Sequence, residues 1–148
     1  MSAKWLGVRC WASRIALAVA EDSPDGPVAV FVRRQPCPTG LNPGERAAWF
    51  AKVVTEAIDE SGATGVAVRI ADSGPDQERA EADGAVLASA ALRGLTGVTL
   101  RRQSLLKPLG VPRGAGGWAA FQKSDPFIGA LVGDLKDAAM ASLGAARR

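Results

Sequence analysis

Three short apolar runs crowd into the first 32 residues, and each is bounded by turn formers. Trp5-Leu6-Gly7-Val8 leads into Arg9-Cys10-Trp11, Arg14 to Ala20 follows after a short break, and Val28 to Val32 comes after Asp22-Ser23-Pro24-Asp25-Gly26-Pro27. Short apolar segments punctuated in this way read as strands, and three in succession predict an antiparallel meander. The pattern then changes period. After a Pro/Gly-rich loop over 35–41, Asn42 as N-cap, Pro43 at the first helical position and Glu45 two further on predict a helix start. Ala47, Phe50, Ala51, Val54 and Ile58 share one face of that helix, and Gly62 is its stop. Gly65 to Ile70 is nearly continuous in apolar character, as expected of a buried parallel strand.

A second helix is predicted over about 75–92, polar at its start and apolar through Ala85, Val86, Leu87, Ala90 and Ala91. Val98-Thr99-Leu100 is a fifth strand closing on two arginines. Ser104–Leu109, Trp118–Gln122 and Pro126–Leu131 are short helical candidates around a Gly/Pro/Arg loop over 111–117. Asp134–Ala146 is the last helix, with Leu135, Ala138, Ala139 and Leu143 inward. A meander joined to parallel strands through helical crossovers predicts an α/β fold: a mixed five-stranded sheet with helices on both faces. The 148 residues form one domain, 1–148, long enough to bury a core without disulfide or metal.

Composition narrows the chemistry. There is no histidine, which removes the usual general base and the commonest transition-metal ligand. Cys10 and Cys37 lack metal-site spacing and read as free thiols in a reducing compartment. No run is long enough to cross a membrane, and the start lacks the basic, apolar and small-residue parts of a secretory signal. The expectation is a soluble cytoplasmic protein with no cofactor. A net charge of +3 permits nucleic-acid contact without demanding it.

The element order resembles the ribonuclease H-like superfamily, and local motifs resemble its RuvC-type Holliday-junction resolvase branch. Leu6-Gly7-Val8-Arg9-Cys10-Trp11-Ala12-Ser13-Arg14-Ile15-Ala16-Leu17 follows the layout of that family's first strand, Ser-Arg and second strand. Ala82-Asp83-Gly84-Ala85-Val86-Leu87-Ala88-Ser89-Ala90 is similar to part of its helix after the fourth strand. Asp134-Leu135-Lys136-Asp137-Ala138-Ala139-Met140-Ala141 is similar to its closing helix. The resemblance implies a nuclease holding two Mg²⁺ ions between carboxylates of the first strand, the end of the fourth strand and the last helix, and acting as a homodimer.

The chain departs from that pattern where the acids matter. Arg9 and Arg69 stand at the first-strand and fourth-strand positions. An arginine stays protonated and repels a divalent cation. Of the acidic set, Asp134 and Asp137 remain, three apart on one helix face. One reading is a degenerate site in which Arg9 and Arg69 face Asp134 and Asp137, with no metal bound. The other is that the arginines are ordinary strand-end residues and Asp72 supplies an acid, leaving a residual metal-dependent nuclease. Basic residues Arg33, Arg34, Arg101, Arg102, Lys107, Arg113 and Lys123, with Trp118 to stack on bases, are the candidate nucleic-acid contacts. The leading expectation is a catalytically inactive RuvC-like module that binds branched or duplex DNA or serves as a scaffold. The alternative is a protein-interaction subunit, as a homodimer or part of a larger assembly.

Overall fold

The computed structural model describes residues 3–74 and 76–148. Strands β1 (Trp5–Trp11), β2 (Arg14–Glu21) and β3 (Val28–Pro36) form the antiparallel meander. Helix α1 (Pro43–Ser61) leads to β4 (Gly65–Arg69), and α2 (Gln77–Leu92) to β5 (Thr96–Leu100). Both of these strands are parallel to β1, and the sheet order is β3-β2-β1-β4-β5. The chain then forms α3 (Arg102–Leu109), α4 (Gly117–Ser124), the single turn α5 (Pro126–Gly129) and α6 (Asp134–Ala146).

The local signals explain most boundaries. Asn42 and Glu45 make a reciprocal capping box, at 2.8 and 3.0 Å, and Gly62 ends α1 in the left-handed conformation. The buried face of α1 is Phe50, Val53, Val54, Ala57 and Ile58, not the stripe that includes Ala47 and Ala51. That stripe is correct in period but rotated by part of a turn. The second helix begins at Gln77, capped by Asp76, and Pro75 lies outside the described residues. The third helical candidate is a full α3 from Arg102, and the Pro126–Leu131 candidate shrinks to one turn. No helix among the described residues is long and apolar enough to cross a membrane. Cys10 and Cys37 are both free and buried.

Strand alternation sends Leu6, Val8, Ile15, Leu17 and Val19 to one face, against α1 and α2. The opposite face carries Gly7, Ala16, Ala18, Ala20 and Ala67, small residues that let α6 lie close on the sheet. A methyl on Gly7 would run into the Ala138 carbonyl of α6. Ser142 of α6 is fully buried there, donating to Trp5 O at 2.6 Å and accepting from Ala20 N at 2.9 Å. α6 is thus fixed in depth and register, and its first turn is held above the strand ends.

Candidate functional site

Four strands deliver an arginine to the same edge and face of the sheet. The register sets Trp11 opposite Arg14, Arg9 opposite Ala16, and Ala16 opposite Arg34, while Arg69 ends β4 beside Leu100. Two-residue alternation then points Arg9, Arg14, Arg34 and Arg69 towards the start of α6. Asp134 and Asp137 lie in that first turn, where the helix dipole favours acids.

The pairing differs from the sequence expectation in its partners. Arg9 Nε lies 3.3 Å from Asp137 Oδ2, as expected. Its Nη1 donates to Arg69 O at 2.9 Å, which ties β1 to the end of β4. Asp134, however, is not shared with Arg9 or Arg69. It takes a bidentate bond from Arg14 and a longer contact from Arg34 at 3.8 Å. Arg69 donates to Asp72 Oδ2 at 3.0 Å and to Ile70 O. The reason is reach: Arg14 and Arg34 enter from β2 and β3 over the N-terminal end of α6, whereas Asp72 is three residues beyond Arg69 in the same chain. Asp72 Oδ1 also accepts the Arg102 N–H at 2.9 Å, which pins the start of α3 to the end of β4.

The electrostatics separate two kinds of pair. Burial pushes the Asp134 carboxyl up, but the bond and charge of Arg14, aided by Arg34, outweigh it and leave it below the ordinary carboxylate range. Burial likewise raises Asp72, and the Arg102 N–H with Arg69 brings it net down. Asp137 ends raised, because burial outweighs the attraction of Arg9 and Arg69. Arg9 ends lowered, because burial and the nearby Arg79 and Arg69 charges outweigh Asp137. Both partners of Arg9–Asp137 are thus shifted towards their neutral forms, burial being the largest cause for each.

Three residues absent from the sequence expectation complete the cluster. Trp11 has three guanidinium groups over its ring: Arg79 at 4.1 Å, Arg14 at 4.9 Å and Arg9 at 5.1 Å from the centroid. Each such contact adds about 0.5–2 kcal/mol, depending on desolvation. Arg79 and Asp83, one turn apart on α2, are 8% exposed. Burial, against the charges of Arg79 and Arg9, pushes the Asp83 carboxyl up to about 6. The i,i+4 spacing of Arg79 and Asp83 was visible in the sequence, but nothing there shows that both side chains are buried.

A pH prediction follows from Asp83. Its unfolded carboxyl titrates near about 3.9. Because the folded value is higher, the native state holds the proton more tightly, and stability falls as pH rises from about 4 to about 6. At about 1.4 kcal/mol per unit, this loss is on the order of 3 kcal/mol. Asp83→Asn should flatten that part of a melting-temperature profile. An unchanged slope between these pH values would place the titration elsewhere.

The candidate nucleic-acid contacts divide. Arg102 and Trp118 line one cleft of about 360 Å³ with Gln103 and Pro112. Lys107 and Arg113 line an adjoining one of the same size. Arg101 and Lys123 are exposed nearby in the chain, at the cap of α3 and the end of α4. Trp118 is half-buried against the α6-side core. Arg33 is not brought to this group. It lies one residue out of phase with Arg34, so it turns to the opposite face, pairs with Glu60 of α1 and packs over Phe31. Arg34 points to the shared edge but is engaged by Asp134.

These features define a chain with a ribonuclease H-like α/β fold and an arginine-rich edge where the parallel strands end. The fold resembles that of RuvC-type Holliday junction resolvases. Thermus thermophilus RuvC matches with a TM-score of 0.77 at 16% identity, covering 97% of this chain and 93% of that one. The T. thermophilus RuvC in complex with Holliday junction substrate gives 0.75 at 18%, with the same coverage. The yeast mitochondrial Holliday junction resolvase gives 0.66 at 8%, covering 99% and 78%. No protein-family model matches the chain, and no curated protein matches it in sequence.

A two-Mg²⁺ centre does not fit the residues present. Mg²⁺ needs converging hard oxygen ligands. Here Asp72, Asp134 and Asp137 are each engaged by arginine, and no group of three metal-ligating side chains converges among the described residues. Arg9 and Arg69 bring cations to this site, and the buried Nε of each makes no hydrogen bond, the approach of Arg9 Nε to Asp137 being an ion-pair contact only.

Proposed function

We propose that this chain is a non-catalytic RuvC-like module that binds nucleic acid and holds it without cutting it. The observation that carries the reading is the replacement of the converging acids by arginine–carboxylate pairs, on a fold otherwise matched over almost its whole length. Hydrolysis of a phosphodiester in this class requires metal to activate water and to stabilise the leaving oxygen. With those positions taken by guanidinium groups, the edge retains cations but loses the means of cleavage. The clefts between α3, the loop over 110–117 and α4 offer Arg102, Lys107 and Arg113 to a phosphate backbone, and Trp118 to an unstacked base. Phosphate binding by guanidinium is sequence-independent, which suits a holding role.

Fluorescence anisotropy with a labelled four-way junction and with a duplex tests this. Binding should weaken steeply with salt, each neutralised phosphate adding about −0.9 to the logarithmic slope. Arg102→Ala, Lys107→Ala and Arg113→Ala together should reduce that slope by nearly 3. No cleavage should appear with Mg²⁺ or Mn²⁺. Absence of binding at low salt would remove the nucleic-acid reading, and cleavage that disappears in Asp137→Asn would overturn the non-catalytic one.

A further inference from the structure

We infer that the cleft between the end of β4 and the first two turns of α2 binds a free α-amino acid with an aliphatic side chain, Arg79 taking its carboxylate and Asp83 its ammonium group. The cleft has a volume of about 350 Å³, and Ile70, Ala71, Ala80 and Leu87 give it apolar walls. Arg79 and Asp83 line it as well, although each is more than nine-tenths buried. Among the described residues, Nε and Nη2 of Arg79 find no hydrogen-bond acceptor, and Oδ1 of Asp83 finds no donor. The two side chains stand one turn apart on α2, yet these atoms do not bond to each other. A buried charge without a partner is costly. Two such groups side by side in one cleft therefore call for a molecule that joins them.

The charges select the ligand. A simple anion would meet Asp76 and Asp83 beside the arginine, and a simple cation would meet Arg79. An α-amino acid carries both signs on one carbon and bridges the short gap between the two side chains. Its orientation follows from the helix. Arg79 lies in the first turn of α2, where the helix dipole favours negative charge, and Asp83 lies a turn further in. Guanidinium binds a carboxylate through two parallel hydrogen bonds. Arg79 is held ready for this by stacking 4.1 Å from the centre of the Trp11 ring, so little side-chain freedom is lost on binding. An aliphatic side chain then packs on Ile70 and Leu87. A few convergent polar groups between apolar walls are the usual build of a small-molecule site. α2 packs on the face of the sheet away from α6, so the site does not rest on the nucleic-acid reading.

Binding at this site is coupled to a proton. Asp83 is faced by the Cys10 thiol and Arg9 of β1, and by Arg79 and Asp76 of its own helix. Burial pushes its carboxyl up to about 6, whereas an ammonium group alongside favours the charged form. The ligand therefore binds the carboxylate, and affinity falls roughly tenfold for each pH unit below that value.

Equilibrium dialysis of the intact protein against labelled L-leucine and L-valine, at about neutral pH, tests the site. Saturable binding of one molecule per chain is expected. Isocaproate, which is leucine without its amino group, and isoamylamine, which is leucine without its carboxylate, should each compete at least about tenfold less well than unlabelled leucine. Asp83→Asn keeps the shape of the side chain and should weaken leucine binding at least about tenfold while removing its dependence on pH. A melting curve of the variant confirms that it is folded, and the competition series on the unaltered protein needs no variant at all. Failure to retain either amino acid at about 10 mM overturns the proposal. So does isocaproate competing as well as leucine, which would make the cleft a plain anion site. Leucine binding unchanged in folded Asp83→Asn overturns it too, by putting the ligand elsewhere.

Discussion

Asp137→Leu is expected to lower the stability of this protein by about 3–5 kcal/mol, the usual cost of stranding one partner of a buried ion pair. Arg9 is 7% exposed, and its Nε faces no other carboxylate within ion-pair distance. Without Asp137 the guanidinium keeps its backbone bond to Arg69 O but carries an uncompensated charge beside Arg69 and Arg79. The double variant Arg9→Met/Asp137→Leu is expected to recover most or all of that loss, because both charges are held at a net desolvation cost. Denaturant unfolding of the two single variants and the double variant closes the cycle. If the double variant is as unstable as Asp137→Leu alone, the pair contributes more attraction than its burial costs, and the account given of its electrostatics fails.

Gly7→Ala is expected to cost more than about 3 kcal/mol, beyond the range common for one added methyl in a packed core. The new Cβ would overlap the Ala138 carbonyl oxygen and lie 2.8 Å from Ser142 N, both of them backbone atoms of α6. A backbone carbonyl cannot swing aside as a side chain would, so α6 must lift from the sheet. That would draw Asp134 and Asp137 away from their arginines. Gly84→Ala is the control: a Cβ there meets nothing within 4 Å in an exposed position of α2, and the change should stabilise by about 0.5–1 kcal/mol. Thermal unfolding of both variants, with circular dichroism to confirm the fold, gives the comparison. A Gly7→Ala protein that melts near the parent would mean that α6 does not sit this close to β1.

Much of the architecture was legible in the sequence because it was written in strong local signals. The capping residues of α1, the Gly62 stop, the strand runs and the bounds of α6 needed no long-range information. The same holds for one half of the site. Two-residue alternation along β1 already put Arg9 on the side away from Leu6 and Val8, where the last helix had to lie. What could not be read was the choice among equivalent partners. Asp134 had four arginines within reach of its neighbourhood, and only the register of β1, β2 and β3 brings Arg14 and Arg34 over it. Arg33 illustrates the same limit in reverse. Adjacent in sequence to Arg34, it looked like part of one basic patch, yet one residue of phase sends it through the sheet to Glu60. Trp11 and Arg79 meet from β1 and α2, separated by 68 positions, so no local signal could pair them.

Among the described residues, every cation that pairs with Asp72, Asp134 or Asp137 is an arginine, although Lys136 lies between the last two in the sequence. Guanidinium does not lose its proton in proteins, and enzymes that acylate lysine have nothing to act on within these pairs. The Arg14–Asp134 fastening between sheet and last helix therefore titrates from one side only, at the carboxylate, which Arg14 holds below the ordinary range. Only acid well below neutrality would discharge it by protonation, and near neutral pH it stays charged on both sides.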